Sequence, residues 1–370
     1  MSIQFPDSPT QGDSFVATNG VSYTYDNGGW IANSQLGLDD RFVNVDGDSM
    51  TGDLTVPSLN GGQLAGFRNQ IINGNYEIWQ RGNTLTYQNS IDVIYSSDRW
   101  ANYRGSSGTC TTTKINITDL PGFSAGLQMT GSGAGYAQTC YQPVELNPNG
   151  ITPFGVGQTW TLSCYVKGSA DGTTELFSQF NTDSNLLAGL QAIASENINF
   201  TTSWQRFSLT FVIPAATGTP GAMNVGLFDS DGTVSTNVQV TGFQLEPGPV
   251  ATPFEHRPIG LELSLCQRYY IKYDPSGNET YWLVSANWTA SQGAASLQYT
   301  QPMRVTPTFT VDGSWQYMSG SGVQNCSRPY IENASPTSCR VTTDNIGSTQ
   351  GNAGNLIMLP NAYAAFDAEL

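Results

Sequence analysis

A single histidine, His256, sets the first limit on chemistry. A Ser/His/Asp or Cys/His centre would have to use it. It stands between Glu255 and Arg257, just ahead of Pro258, among residues that read as structural charge pairs. A multi-histidine metal site is excluded. Paired carboxylates could still hydrolyse a glycan. Asp92, Asp98, Glu145 and Glu175 are candidates, yet their spacing is not diagnostic. Neither a G-x-x-x-x-G-K-[ST] loop nor a G-x-G-x-x-G strand–helix turn is present, so nucleotide binding is unsupported. The expectation is a protein that is not an enzyme.

Non-covalent binding offers more. Asp229-Ser230-Asp231-Gly232 resembles half of a calcium loop, with Asp229 and Asp231 as metal ligands. The twelfth position is Val240 rather than Glu, so no EF-hand exists. A β-turn is the simpler reading, and structural Ca²⁺ is the only cofactor expectation. Sugar binding needs exposed aromatic rings with Asn, Gln and Asp beside them. Tyr103, Tyr136, Tyr141, Trp282, Trp288, Trp315 and Tyr317 lie near turn-rich polar segments. Tyr103, Tyr141, Trp282, Trp288 and Trp315 are the chosen platform residues. Since the chain has 8 Trp, 17 Tyr and 16 Phe, core roles compete with this reading at each position.

Composition narrows the scaffold that positions them. Charged residues are 12%, against about 25% in typical domains. The polar residues are therefore Ser, Thr, Asn, Gln and Gly, which favour strands and turns. A net charge of -15, with Lys only at 114, 167 and 272, disfavours nucleic acid and anionic membranes. No apolar run of about 20 residues exists to span a membrane. The first residues lack the basic and apolar regions of a secretory signal. The six Cys form no C-x-x-C pair and read as small buried hydrophobes of a chain made in a reducing cytosol. A Cys326–Cys339 disulfide is the alternative outside the cell.

Residues 1–32 read as a short β module. Asn19-Gly20 signals a type I′ hairpin, Val21 to Tyr25 alternates, and Phe5, Tyr23, Tyr25 and Trp30 are its anchors. About thirty residues bury little surface alone. Residues 33–66 are a connector with a helical candidate at Leu36 to Phe42. Residues 1–66 contain eight Asp and one Arg, with no Glu or Lys. Residues 67–258 contain strand candidates at Thr159–Val166, Glu175–Asn181, Ser203–Ile213, Asn224–Phe228 and Val238–Leu245, separated by Gly/Pro turns. This spacing predicts an antiparallel sandwich or jelly roll. Residues 259–370 begin with a helix over 259–271, on Leu261, Leu265 and Tyr269, and return to strands. The fold class is mainly β, and without a repeat of 20–50 residues a β-helix is not supported.

Three segments carry a family resemblance. The first is Val45-Asp46-Gly47-Asp48-Ser49-Met50-Thr51-Gly52-Asp53-Leu54. The second is Asn69-Gln70-Ile71-Ile72-Asn73-Gly74-Asn75 through Ile78-Trp79-Gln80-Arg81-Gly82, followed by Ser97-Asp98-Arg99-Trp100. The third runs from Gln244-Leu245-Glu246 through Ala251-Thr252-Pro253-Phe254-Glu255 and Arg257 to Cys266-Gln267-Arg268-Tyr269-Tyr270. With Thr202 to Arg206, this ordered set resembles bacteriophage tail fibre proteins, cyanophage-like, with a carbohydrate-binding-module-like jelly roll. The resemblance implies a homotrimeric virion protein that meets a host cell-surface polysaccharide. Residues 1–32 would dock on a tail adaptor or nozzle, and Met50, Leu54, Val56 and Leu59 would meet at the three-fold. The alternatives are a capsid or tail decoration without a receptor role, and a glycan-depolymerising tailspike. Read from their residues alone, Trp79, Trp100 and Trp204 beside Arg81, Arg99 and Arg206 are core corners. Glu246, Glu255, Arg257 and Arg268 are charge pairs at the strand-to-helix passage.

Overall fold

The computed structural model describes residues 3–18, 20–32, 67–88, 93–104, 109–132, 136–146, 154–182, 189–232, 237–275 and 277–370. The connector, its helical candidate and the three-fold contacts lie outside the described residues. Two compact units are present, residues 1–57 and 58–370.

The first unit is an antiparallel meander of β1 (Ser14–Val16), β2 (Ser22–Asp26) and β3 (Gly29–Ala32). The two-residue turn with both φ positive sits at Asn27-Gly28, between paired Asp26 and Gly29. The type I′ turn expected at Asn19-Gly20 falls on Asn19, which lies outside the described residues. Beside it the Ala17 N–H bonds the Val21 carbonyl, and the Gly20 N–H bonds the Ala17 carbonyl. Phe5, Phe15, Tyr23, Tyr25 and Trp30 pack ring on ring, with Phe5 stacked on Trp30 at 5.5 Å. All five stay half-buried, as a three-stranded sheet requires.

The second unit begins with a sandwich of two six-stranded antiparallel sheets. One contains β4 (Thr84–Gln88), β7 (Thr109–Asn116), β8 (Ala125–Ser132), β10 (Thr159–Lys167), β13 (Gln205–Val212) and β15 (Val238–Pro247). The other contains β5 (Ile94–Tyr95), β6 (Ala101–Arg104), β9 (Tyr136–Glu145), β11 (Gly172–Asn181), β12 (Leu190–Phe200) and β14 (Ala222–Gly232). The chain passes back and forth between the sheets from β8 to β15, as in a jelly roll. Period-two alternation sends Leu162, Cys164, Leu176, Phe180, Val225 and Leu227 inward to one core. A bulge at Gly242 (φ +65) resets β15, so that Val240 and Phe243 both face that core. A Cβ there would lie 2.8 Å from the Phe123 ring, so glycine is required on two counts.

The helix α1 (Ile259–Gln267) is shorter than the expected 259–271. Its buried positions are Glu262 and Cys266, not Leu261 and Leu265. Glu262 is drawn inward because Arg257 and the Asn73 N–H need its carboxylate. Beyond α1, β16 (Tyr270–Tyr273), β19 (Thr308–Asp312) and β25 (Tyr363–Asp367) form a three-stranded sheet. A seven-stranded sheet contains β17 (Thr280–Asn287), β18 (Gln292–Gln298), β20 (Trp315–Ser319), β21 (Gly322–Asn325), β22 (Tyr330–Glu332), β23 (Ser338–Asp344) and β24 (Ala353–Met358). The chain is thus mainly β, with α1 its one helix of regular length among the described residues. Cys110, Cys140, Cys164, Cys266 and Cys339 are buried, and Cys326 and Cys339 are not bonded to each other.

Buried polar joints tie the second and third motif segments to their neighbours; the first, 45–54, lies outside the described residues. Glu246 is fully buried and takes Arg68 at 2.5 Å, the Thr252 N–H and the Thr252 hydroxyl. Glu255 accepts the Phe67 and Asn69 N–H groups. The second joint holds the chain end. Glu369 bonds Arg99 and lies 3.3 Å from Arg81, which also meets Asp98 at 3.3 Å and Asp367 at 3.2 Å. The guanidinium groups of Arg81 and Arg99 sit 3.5 Å over the rings of Tyr270 and Tyr269. Removing one partner from a buried ion pair costs about 3–5 kcal/mol, because the other charge is stranded.

Burial pushes the Asp98 carboxyl up to about 7 from 3.8, against the pull of Arg81 and the Gln80 N–H. Glu369 and Asp367 compete for the same guanidinium, which favours a proton on one acid. A raised folded pKa contributes stability that is complete below the unfolded value and is lost as pH rises through the folded one. Between about pH 4 and pH 7, wild-type stability is therefore expected to fall relative to Asp98→Asn. Thermal unfolding of both proteins across that window checks this; parallel pH profiles would refute it.

Candidate binding site

The outer face of the second sandwich sheet carries a concave groove of about 430 Å³. The sheet order β12-β11-β14-β9-β6-β5 and the register build it. One row across the strands reads Ala101, Tyr141, Gly226, Phe177, Ser195. The next reads Tyr103, Thr139, Phe228, Glu175, Asn197. Side chains two residues apart on a strand share a face, and the neighbours Trp100, Cys140, Leu176 and Leu227 point into the core. The four rings of Tyr103, Tyr141, Phe228 and Phe177 therefore zigzag over four adjacent strands, across roughly 14 Å at about 4.8 Å per strand. At Gly226 no side chain stands between Tyr141 and Phe177. A Cβ there would fall 2.2 Å from the Cys140 carbonyl oxygen. Glu175, Gln179, Thr139 and Ser195 add polar groups, and Leu190 forms part of the rim.

Tyr141 is the residue that the fold leaves incomplete. It is 3% exposed, and its buried hydroxyl has no hydrogen-bond partner among the described residues. Burial, with Cys140 and Tyr103 nearby, pushes that hydroxyl well above its ordinary pKa, so it is a neutral donor and acceptor. An unsatisfied buried hydroxyl costs about 1–3 kcal/mol. A ligand hydroxyl in the groove would satisfy it. The arrangement can stack apolar ring faces and hydrogen-bond their polar edges. The hydrolytic chemistry open to it would have to use Glu175, the carboxylate among its described lining residues.

The five expected platform residues separate. Tyr103 and Tyr141 converge in the groove. Trp288 lies far along the chain on the β17–β18 hairpin and is 61% exposed. Trp315 and Trp282 are not platforms, because their rings meet at 5.5 Å within the C-terminal core, where Trp315 is 2% exposed. Tyr317 is fully buried under Gly293 and Gly354. The side chain of Tyr136 lies outside the described residues.

The other candidates also resolve. Asp229 and Asp231 fall in strand β14 rather than a β-turn, with a register shift at that point, and their side chains lie outside the described residues. Asp92 does as well. Asp98 belongs to the buried joint, and Glu145 takes Arg268 at 3.3 Å and the Tyr269 hydroxyl at 2.9 Å. His256 is exposed and packs its ring on Phe123 and Phe254. Trp100 is a core corner as expected, while Trp204 instead donates to Asp119 at 2.9 Å at the surface. Phe177 and Phe228 were missed. Glu175-x-Phe177-x-Gln179 carried the signal, since two polar residues in step with Phe177 place it on the outward face.

No protein-family model and no curated protein matches the chain. Solved structures do. The chain is similar to the enzymatically active domain of tailspike protein 4 of bacteriophage CBA120, at 14% identity and TM-score 0.33, over 50% of this chain and 22% of that one. It spans about a fifth of that relative's length. It is similar to a CBM4 module at 14% identity and TM-score 0.29, over 48% of this chain and 98% of that one. It is also similar to the cyclase Fisc from Fischerella sp. TAU at 10% identity and TM-score 0.33, over 48% and 96%. The expectation of a protein that is not an enzyme is overturned here, since an enzymatically active domain and a cyclase stand among these likenesses.

Removing the Tyr141 hydroxyl should not weaken the fold. Tyr141→Phe is expected to unfold at the same temperature as wild type or higher, by up to about 1 kcal/mol of added stability. A loss of more than about 1 kcal/mol in denaturant titration would mean that the hydroxyl already has a partner.

Proposed function

We propose that the chain is a virion fibre protein whose sandwich groove binds a host cell-surface glycan. The observation that carries this reading is the groove itself. Four aromatic rings with interleaved Glu, Gln, Thr and Ser lie on one open sheet face, with a buried tyrosine hydroxyl left unpartnered. Sugar rings present apolar faces for stacking and hydroxyl edges for hydrogen bonds, and the groove offers both. Its length over four strands suits a short run of sugar units rather than a single ring. The motif set that resembles tail fibre proteins supports the virion setting. In this reading residues 1–32 attach to a tail adaptor or other virion protein through the cluster of Phe5, Tyr23, Tyr25 and Trp30. Three copies assemble through residues 33–66. Glu175 in the groove favours glycan hydrolysis as a second reading.

Full-length protein titrated with a panel of bacterial surface polysaccharides tests the groove. Binding is expected, with Tyr103→Ala, Tyr141→Phe and Glu175→Gln each weakening it about tenfold, or about 1.4 kcal/mol. Absence of binding to any polysaccharide, or affinities that all three variants leave unchanged, would refute the groove. New reducing ends in the same mixtures, lost in Glu175→Gln, would establish the hydrolytic reading. Sedimentation equilibrium is expected to give three times the chain mass of 39.8 kDa, and a single-chain mass would refute the trimer.

A further inference from the structure

A second cavity, of about 220 Å³, lies on the outer face of the seven-stranded sheet. Its floor is small: Ala294 and Thr342 are paired across β18 and β23, with Tyr330 next in register on β22. Its walls are Trp288, Tyr330 and the Arg340–Glu332 pair. Trp288 is 61% exposed, although nothing about its support is loose. The preceding Asn287 is buried, donates to the Ser348 hydroxyl at 2.6 Å and the Thr349 carbonyl at 2.9 Å, and accepts the Tyr317 hydroxyl at 2.7 Å. The hairpin therefore holds a large indole in water at a fixed place, where the hydrophobic effect alone would bury it.

The polar wall is equally ordered. Arg340 donates twice to Glu332 Oε2, from Nε at 2.9 Å and from a terminal nitrogen at 2.5 Å. The Thr342 hydroxyl reaches the same oxygen at 2.8 Å. Among the described hydrogen bonds none uses Glu332 Oε1, which stays an available acceptor. The second terminal nitrogen of Arg340 stays an available donor on the same terms. The Arg340 guanidinium carbon lies 5.5 Å from the Trp288 ring centroid, so the cation is steered toward the ring. Gln292 donates to Asp344 at 2.9 Å and to the Tyr330 hydroxyl at 3.4 Å, which aligns the remaining edge.

We infer that this cavity is a second carbohydrate site, taking one neutral hexopyranose unit with its apolar face on Trp288 and vicinal hydroxyls on Glu332 and Arg340. Vicinal hydroxyls each donate and accept, which matches a fixed carboxylate oxygen beside a fixed guanidinium nitrogen. The size suits one ring, being smaller than the roughly 300 Å³ at which sites for larger ligands begin. The charge selects a neutral sugar: Glu332 already matches Arg340, and Asp344 adds a further negative group against an acidic one. The site stands apart from the sandwich groove and does not rest on it.

The test uses full-length protein and saturation-transfer NMR with methyl glucopyranosides, galactopyranosides and mannopyranosides, and with galacturonate as the acidic control. Transfer from at least one neutral glycoside is expected, with weaker transfer from galacturonate. Trp288→Ala and Glu332→Gln should each weaken neutral-sugar binding at least tenfold, while Tyr141→Phe and Tyr103→Ala leave this component unchanged. Thermal unfolding of the two surface variants controls for folding. Absence of transfer from every neutral glycoside, equal binding by Trp288→Ala, or preference for galacturonate would overturn the inference. Loss in Tyr141→Phe alone would assign the signal to the sandwich groove and also overturn it.

Discussion

Arg81 and Arg99 hold this molecule's second unit together. Both pack on tyrosine rings, and both are matched by acids: Asp98 from the same motif for Arg81, Asp367 for Arg81, and Glu369 for both. Such charges are expensive to bury and strongly destabilising to unpair, so each side makes the other's position obligatory. Arg99 also donates to the Pro143 carbonyl at 2.7 Å. That contact ties the joint to β9, and Trp100, next in sequence, seats β6 in the core. β6 and β9 are the strands that present Tyr103 and Tyr141. The groove's geometry thus depends on a polar joint behind it as well as on the apolar sandwich core.

The strand pattern was legible where alternation is clean. β10 and β15 begin where expected, β11 ends where expected, and their other ends differ by one to three residues. Alternation also places the core rows, because a one-residue slip would turn Leu162 or Val225 to water. The helix was legible in place but not in orientation. Its apolar periodicity pointed to Leu261 and Leu265, and the structure buries Glu262 instead, because a guanidinium and a backbone N–H on distant segments need that carboxylate. No local pattern encodes such a demand.

The candidate sites show the same division. Exposed rings cannot be told from core rings by type, which is why Trp315 and Trp288 read alike in sequence and separate completely in the fold. What distinguishes them is company across the sheet. Trp315 meets Trp282, while Trp288 meets an ion pair at a cavity mouth. Cross-strand register created both aromatic-and-polar surfaces, and register is a property of pairing between distant segments. Only Glu175-x-Phe177-x-Gln179 carried a local trace of it. The expectation of a protein that is not an enzyme fell for a different reason: the lack of a recognisable constellation in a sequence excludes no chemistry.

The central claim is that the outer face of the β12-to-β5 sheet receives a glycan. Hydrogen–deuterium exchange of the full-length protein, with and without saturating surface polysaccharide, addresses it most directly. The account expects added protection in β9, β11 and β14, around Tyr141, Phe177 and Phe228, with the opposite sandwich sheet unchanged. Protection confined to the opposite sheet, or none on either face at saturation, would contradict it.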